Sequence, residues 1–111
     1  MSAVAQSSGE RVADQASSPG GALIRVFVIC NKKGLHARAS AKFVQAVEKF
    51  DAEVRVTRGN ETVGGTSIMG LMMLSAAPGT TILVSAKGPE AQAALDAIAA
   101  LVADKFNEEG T

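Results

Sequence analysis

The sequence has few of the features that mark several large protein classes. It contains a single cysteine, so an internal disulfide framework is excluded, and it has no CxxC pair or Cys/His cluster that would indicate a metal site. The 11 lysine and arginine residues balance 11 aspartate and glutamate residues, which removes the electrostatic case for a nucleic-acid partner. We therefore expect no metal, no cofactor and no nucleic-acid partner.

Long apolar runs are also missing. None approaches the ~20 residues that a helix needs to cross a membrane, and the N-terminus lacks the basic and then apolar plan of a signal peptide. We expect a cytoplasmic protein that does not associate with membranes. Its length of 111 residues predicts one domain with a single modest core.

The N-terminal stretch differs in composition from the remainder. Residues 1–21 are rich in Ser, Ala, Gly and Gln, and their only large aliphatic residues besides Met1 are Val4 and Val12. Such a segment cannot bury enough surface to offset the entropy lost on ordering. We predict a disordered tail over 1–21, to which the sequence assigns no role, and a folded domain over 22–111.

Four segments have the pattern of β-strands. Leu23 to Cys30 is almost continuously apolar, which predicts a largely covered strand that ends on a packed cysteine. Asp51 to Arg58 alternates apolar and polar residues, and Gly59-Asn60 predicts a two-residue hairpin turn into a strand from Glu61 to Gly65. Thr80 to Ala86 is the fourth segment.

Two longer segments carry an apolar stripe at helical spacing. The stripe residues are Ala39, Phe43, Val47 and Phe50 in the first helix and Leu95, Ile98, Val102 and Phe106 in the last. Between them, Ser67 is a natural N-cap for a short helix over Ile68 to Leu74. If both amphipathic helices pack on one face of a four-stranded antiparallel sheet, both apolar stripes are buried. We therefore predict an open-faced α+β sandwich of order βαββαβα.

The only histidine, His36, lies where a loop gives way to the first helical pattern. The first N–H groups of a helix have no partner within it, and together with the helix dipole they attract anions, phosphate above all. The backbone of Ala37 and Arg38 would provide these N–H groups. The Arg38 guanidinium can hold phosphate oxygens with two hydrogen bonds.

This setting also influences the imidazole. The helix N-terminus and Arg38 both disfavour an imidazolium, so we expect a neutral ring with a free lone pair, which is a nucleophile. The same groups would hold the negative charge of a phosphoryl group once it is bound. The residues by themselves also permit a simpler interpretation, in which His36 is a polar boundary residue beside a solvated arginine.

Two blocks of the sequence resemble the HPr family, the histidine phosphocarriers of the bacterial phosphotransferase system. Gly34-Leu35-His36-Ala37-Arg38 resembles the family's active-site motif. Ser67 to Leu74 resembles its regulatory-serine segment, at a distance from the histidine that fits the family. The likeness runs from about Leu23 to Phe106. Ala39 stands where the family usually carries proline, and we expect a slightly less rigid helix start without loss of activity.

The resemblance implies a phosphoryl-transfer intermediate, in contrast to an enzyme that turns over a free small molecule. Such a carrier accepts a phosphoryl group from enzyme I on His36, with Arg38 stabilising the phosphate, and passes the group to EIIA-type proteins. The resemblance also implies the order 1-4-2-3 for the four predicted strands. We expect a monomer.

Ser67 and the run after it have a structural and a functional interpretation. As an N-cap, Ser67 would stabilise the short helix by about 1 kcal/mol. The resemblance implies regulatory phosphorylation by an HPr kinase/phosphorylase, which places charge at a helix N-terminus. Because flexible methionines suit surfaces that meet several partners, we predict that Ile68, Met69 and Met72 dock donors and acceptors.

The sequence leaves the branch of the phosphotransferase system and the EIIA acceptor open. Asp51 to Val54 and Leu71 to Leu74 look like the nitrogen-related carriers, whereas Ser67 to Gly70 looks like the kinase-regulated sugar carriers. We favour the nitrogen-related branch. The alternatives without phosphotransfer are a regulatory module with a vestigial His36 and a module that binds a small anionic ligand.

Overall fold

The computed structural model describes residues 15–17 and 21–108. Its strands are β1 (Gln15–Ser17), β2 (Leu23–Val28), β3 (Glu53–Arg58), β4 (Glu61–Gly64) and β5 (Thr81–Lys87). Its helices are α1 (Ala37–Val47), α2 (Ile68–Met73) and α3 (Ala91–Ala103), followed by a short turn at Lys105–Asn107. Apart from β1, this is the predicted order βαββαβα.

All neighbouring strands of the sheet are antiparallel, and their order is β1-β2-β5-β3-β4. Without β1, the order is that implied by the resemblance for the four predicted strands. The register places Phe27 opposite Ile82 and Val56 opposite Val84, so these side chains share the inner face. The predicted open-faced α+β sandwich is confirmed.

The short strand β1 was not predicted. It extends the sheet beyond β2, with Ala16 opposite Ile24, within the segment for which the composition predicts disorder. The other residues of that segment, 1–14 and 18–20, lie outside the described residues, as do residues 109–111. The disordered tail and the domain boundary at residue 22 therefore stay predictions.

The core lies between the sheet and the helices. Both predicted helical stripes face it, and Phe43, Leu95 and Ile98 are fully buried. Each large aliphatic or aromatic side chain removed from water in this way contributes about 1.5–3 kcal/mol. Helix α1 ends at Val47, because the N–H groups of Lys49 and Phe50 bond three residues back and tighten the chain into a turn. None of the described helices is long and apolar enough to cross a membrane.

Strand β2 departs from the prediction of a largely covered strand. Its outer face is open, and the side chain of Val28 is 54% exposed. Cys30, predicted to be packed, is exposed as well, and its thiol donates to the carbonyl oxygen of Val102 at 3.3 Å. The reason is that the helices cover only the inner face of the sheet, whereas the apolar residues of this strand occupy both faces.

The loop before α1 is fixed by a close approach to the loop after α2. Gly34 has a φ of +65°, and a Cβ added there would lie 2.4 Å from the carbonyl oxygen of Ala76. The N–H of the next residue, Leu35, donates to the same oxygen at 3.0 Å. The glycine in this motif thus serves the packing that positions the start of α1.

We expect Gly34→Ala to destabilise the fold by about 3–4 kcal/mol, because it combines a left-handed conformation with a backbone clash. Gly59→Ala is the matched control, since Gly59 has a similar φ of +62° and no atom within 4 Å of an added Cβ. It should cost only about 1–2 kcal/mol. Urea unfolding of both variants measures the difference, and equal losses would show that the contact with Ala76 is unimportant.

Candidate functional site

His36 is the N-cap of α1, which agrees with its predicted place at the boundary between loop and helix. Its backbone is extended, with φ of −77° and ψ of −175°, and its carbonyl oxygen accepts the helical bond from the Ser40 N–H at 2.8 Å. Its Nδ1 accepts a hydrogen bond from the backbone N–H of Arg38 at 3.3 Å. The ring is therefore anchored with one nitrogen directed at the unpaired N–H groups of the helix N-terminus.

The other ring nitrogen contacts a carboxylate from the end of the domain. Nε2 of His36 lies 2.7 Å from Oε2 of Glu108, a residue 72 positions later in the chain. The side chain of Glu108 is only 7% exposed, whereas that of His36 is 29% exposed. Because Nδ1 accepts the Arg38 N–H, the hydrogen bonds assign the tautomer: the proton lies on Nε2, which donates to Glu108, and the lone pair lies on Nδ1.

Backbone and amide donors hold the Glu108 carboxylate in place. Its Oε1 accepts a hydrogen bond from the backbone N–H of Lys33 at 3.1 Å, and its Oε2 accepts one from Nδ2 of Asn31 at 3.4 Å. The fully buried Asn31 amide also donates to the carbonyl oxygen of Gly34 at 2.8 Å, so its donor group faces two acceptors. Its Oδ1 has no partner among the described residues.

These contacts set the ionisation of Glu108. Burial raises the pKa of its carboxyl, but the hydrogen bonds from Lys33, His36 and Asn31 lower it by more, so the pKa lies below its ordinary value. Glu108 is therefore ionised at neutral pH. The stability that these bonds contribute is present above the carboxyl's unfolded-state pKa and is lost as the pH falls through the lowered value.

An open cleft of about 470 Å³ exposes the ring to solvent. It is lined by Lys33, His36, Ala37, Arg38, Ala39, Phe106 and Glu108. The side chain of Arg38 is exposed, and no carboxylate of the described residues pairs with its guanidinium. The structure thus brings together the predicted residues His36, Ala37 and Arg38 and leaves the arginine available to an anion.

Ser67 is the N-cap of α2, and its hydroxyl oxygen accepts the Gly70 N–H at 2.9 Å. The structural interpretation of this serine is therefore correct, and the residue is also exposed. Helix α2 lies against β4 so closely that a Cβ on Gly70 would lie 2.9 Å from the Val63 side chain. It also packs against α1.

The predicted docking residues on α2 are all exposed. Met69 is 71% exposed, and Ile68 and Met72 are 40% and 42% exposed. Met73, which was not predicted, is as exposed as Met69, whereas Leu71 and Leu74 are buried. We call the four residues Ile68, Met69, Met72 and Met73 the α2 patch.

Glu108, Asn31 and the backbone of Lys33 belong to the site without having been singled out in the sequence. Asn31 and Lys33 lie within five residues of His36 in the sequence, but nothing there marked them as partners of a distant carboxylate. No local pattern pointed to Glu108. Within the described residues, no group of three His, Cys, Asp or Glu side chains could hold a metal ion.

Comparisons with known proteins match most of this chain. The family profile described as "PTS HPr component phosphorylation site" matches residues 24–104. Phosphocarrier protein NPr of Shewanella violacea is 48% identical over 78% of this chain and 94% of its own length. Phosphocarrier protein HPr of Cupriavidus necator is 46% identical over 78% of this chain and 97% of its own length.

Solved structures agree with this match. A crystal structure of HPr from Thermoanaerobacter tengcongensis superposes with a TM-score of 0.74 at 40% identity, covering 78% of this chain and 97% of that one. A crystal structure of HPr from Bacillus anthracis superposes with a TM-score of 0.70 at 36% identity, over 73% of this chain and 96% of that one. Sequence and fold thus give the same assignment.

Proposed function

Because this chain belongs to the HPr family and is a phosphocarrier of the phosphotransferase system, we propose that it carries the phosphoryl group on Nδ1 of His36. One observation supports this choice of atom above the others. Nε2 is occupied by its bond to Glu108, whereas Nδ1 holds its lone pair toward the N-terminus of α1, where anions are favoured.

The transfer needs no proton to move. Nδ1 attacks the phosphorus of the charged donor, the bond between phosphorus and the donor atom breaks, and its electron pair stays with the donor. The product ring carries a proton on Nε2 and a positive charge, which the adjacent Glu108 carboxylate stabilises. Transfer to an acceptor is the same step with the roles exchanged.

The groups around Nδ1 would receive the phosphate. The Arg38 N–H now bonded to Nδ1 is free to bond a phosphoryl oxygen after transfer, together with the neighbouring Ala37 N–H. The Arg38 guanidinium would add a bidentate contact from the open side of the cleft. These donors are in position before the reaction, so they stabilise the developing charge without reorganisation.

We propose enzyme I as the donor and EIIA-type proteins as acceptors, with the α2 patch as the docking surface. Four exposed apolar side chains on one short helix suit a small contact that forms and separates quickly. The same consideration supports a carrier that works as a monomer, and we keep the cytoplasm as its proposed location.

The similarity to an NPr protein supports the nitrogen-related branch. The test is transfer from phosphoenolpyruvate-charged enzyme I to this protein and then to each purified EIIA-type protein from the same cell. We expect the nitrogen-related acceptor to be phosphorylated fastest. Faster transfer to a sugar-branch acceptor would overturn this assignment, and no uptake of phosphate by the chain would overturn the proposed function.

We also propose that an HPr kinase/phosphorylase modifies Ser67 and that phosphate there blocks docking. Ser67 is an exposed residue, and Ile68 and Met69 of the α2 patch follow it directly in the chain. An anion at this position is tolerated by the helix N-terminus. It must, however, lose its hydration when an apolar partner covers it, at a cost of a few kcal/mol.

Accordingly, Ser67→Asp should raise the apparent KM for transfer from enzyme I more than it lowers the limiting rate. Ser67→Ala should transfer normally and lose about 1 kcal/mol of stability with the cap. Thr81→Asp, which places the same charge on the exposed end of β5, controls for charge alone. If Ser67→Asp unfolds the domain or leaves transfer unchanged, Ser67 is only a helix cap.

A further inference from the structure

The chain after α3 takes an unusual path to reach His36. Three consecutive residues, Lys105, Phe106 and Asn107, have φ values of +55°, +55° and +54°. Residues with a side chain rarely adopt this left-handed conformation, and seldom three times in a row. A continued right-handed helix would take Glu108 in a different direction. The turn is therefore what delivers the carboxylate to the ring.

Two contacts keep this left-handed turn in place. The side chain of Phe106 is buried in the core, with 1% of its surface exposed. Nζ of Lys42 donates to the carbonyl oxygen of Phe106 at 2.8 Å and lies 3.5 Å from that of Asn107. The turn also closes on itself through the bond from the Glu108 N–H to the Lys105 carbonyl oxygen at 3.0 Å.

Lys42 and His36 are on the same helix, so the turn is tied to α1 at two points. Lys42 holds the backbone of the turn, and Glu108 at its end holds the ring. The ammonium of Lys42 satisfies carbonyl groups and forms no ion pair with a described carboxylate. We call residues 104–108 the C-terminal clasp.

We propose that the C-terminal clasp determines which nitrogen of His36 is the nucleophile and that Lys42 is the positioning residue that keeps it closed. The proposal rests on His36 being the acceptor. With the clasp closed, the proton is held on Nε2 and the lone pair on Nδ1. With the clasp open, the proton can occupy either nitrogen and the positive charge of the product ring loses its carboxylate.

The contact between His36 and Glu108 resembles that of the catalytic histidine in a Ser-His-Asp triad, which a buried carboxylate orients. There, as here, the carboxylate fixes the tautomer of the ring and stabilises the charge that develops on it. Here the carboxylate belongs to the segment after α3, which Lys42 bonds through the carbonyl oxygen of Phe106. A misplacement of a reacting group by about 1 Å, caused by a substitution away from the chemistry, can cost about 100-fold in rate.

The test is Lys42→Met, which keeps the length of the side chain and removes its donor. We expect transfer from enzyme I to slow by about ten-fold to 100-fold and the ring ¹⁵N shifts of unphosphorylated His36 to move toward a mixture of tautomers. Lys42→Arg, which keeps a positively charged donor, should retain most of the transfer rate and nearly the same ¹⁵N shifts as the unaltered protein. Lys49→Met is the matched control, because the exposed Lys49 lies beyond α1 and forms no hydrogen bond to the clasp.

A double-mutant comparison separates positioning from general packing. Glu108→Gln should slow transfer to a similar extent, and Lys42→Met combined with Glu108→Gln should be no slower than Glu108→Gln alone. If the two losses multiply, or if Lys42→Met leaves the ¹⁵N shifts unchanged, the proposal is wrong. Because these shifts are read without phosphate, failure of the clasp is distinguishable from phosphorylation at a residue other than His36.

Discussion

His36→Ala should take up no phosphate when it is incubated with phosphoenolpyruvate and enzyme I, whereas the unaltered protein should acquire one acid-labile, base-stable phosphate. This is the largest effect that we expect from any substitution. The alanine has no nitrogen to accept the group, and the chain has no second histidine. Intact-protein mass spectrometry before and after mild acid treatment measures the outcome.

The fold should survive this substitution. The His36 side chain is partly exposed, and its loss as an N-cap costs about 1 kcal/mol. Ser67→Ala, which also removes an N-cap side chain, should still be labelled and serves as the matched control. Retention of an acid-labile phosphate by His36→Ala would mean that another residue is the acceptor.

Arg38→Ala should slow transfer by one to a few powers of ten, each worth about 1.4 kcal/mol of transition-state stabilisation. The reason is that Arg38 lines the same cleft as His36, and its guanidinium has no carboxylate partner among the described residues, so it is available to bind the phosphoryl oxygens. Arg38→Lys should recover only part of the rate, because an ammonium cannot make the bidentate contact. Single-turnover kinetics with charged enzyme I measures all three proteins.

Stability should hardly change in Arg38→Ala, since the side chain is exposed and has no carboxylate partner among the described residues. Lys49→Ala removes one positive charge near the opposite end of α1 and controls for net charge. Its transfer rate should match that of the unaltered protein. A normal rate in Arg38→Ala would exclude the guanidinium from the site.

Much of the fold was predictable because its signals are local. The alternation through Val54 and Val56 marks a strand with one buried face, and the stripe that includes Phe43 marks a helix on that face. Strand order has no such local signal and came only from the family resemblance. Strand β1 was missed because Gln15–Ser17 has no apolar alternation, and pairing with β2 is what makes it a strand.

The site residues also separate into those with a local sequence signal and those without one. His36 and Arg38 are neighbours in a contiguous motif at a helix start, where anions are favoured. The contact with Glu108 depends on a left-handed turn of ordinary residues, which no helix or turn propensity predicts for this sequence. The amphipathic pattern also could not show that Met73 is exposed, because every residue near it on α2 is apolar or glycine.

The contact with Glu108 also changes the set of charged groups around the His36 ring. From the sequence, His36 was surrounded only by a cation and a positive helix end, both of which act on the ring in the same sense. The structure adds an ionised carboxylate on the opposite side of the ring. The helix N-terminus thus faces the nitrogen that would bind phosphate, and a negative group faces the nitrogen that keeps its proton.

The most direct test of this account is NMR of the phosphorylated, ¹⁵N-labelled protein, with correlation of the ring nitrogens of His36 to phosphorus and to protons. We predict that phosphorus is coupled to Nδ1 and that Nε2 retains a proton bonded to Glu108. Phosphorus on Nε2, or on a residue other than His36, would contradict it.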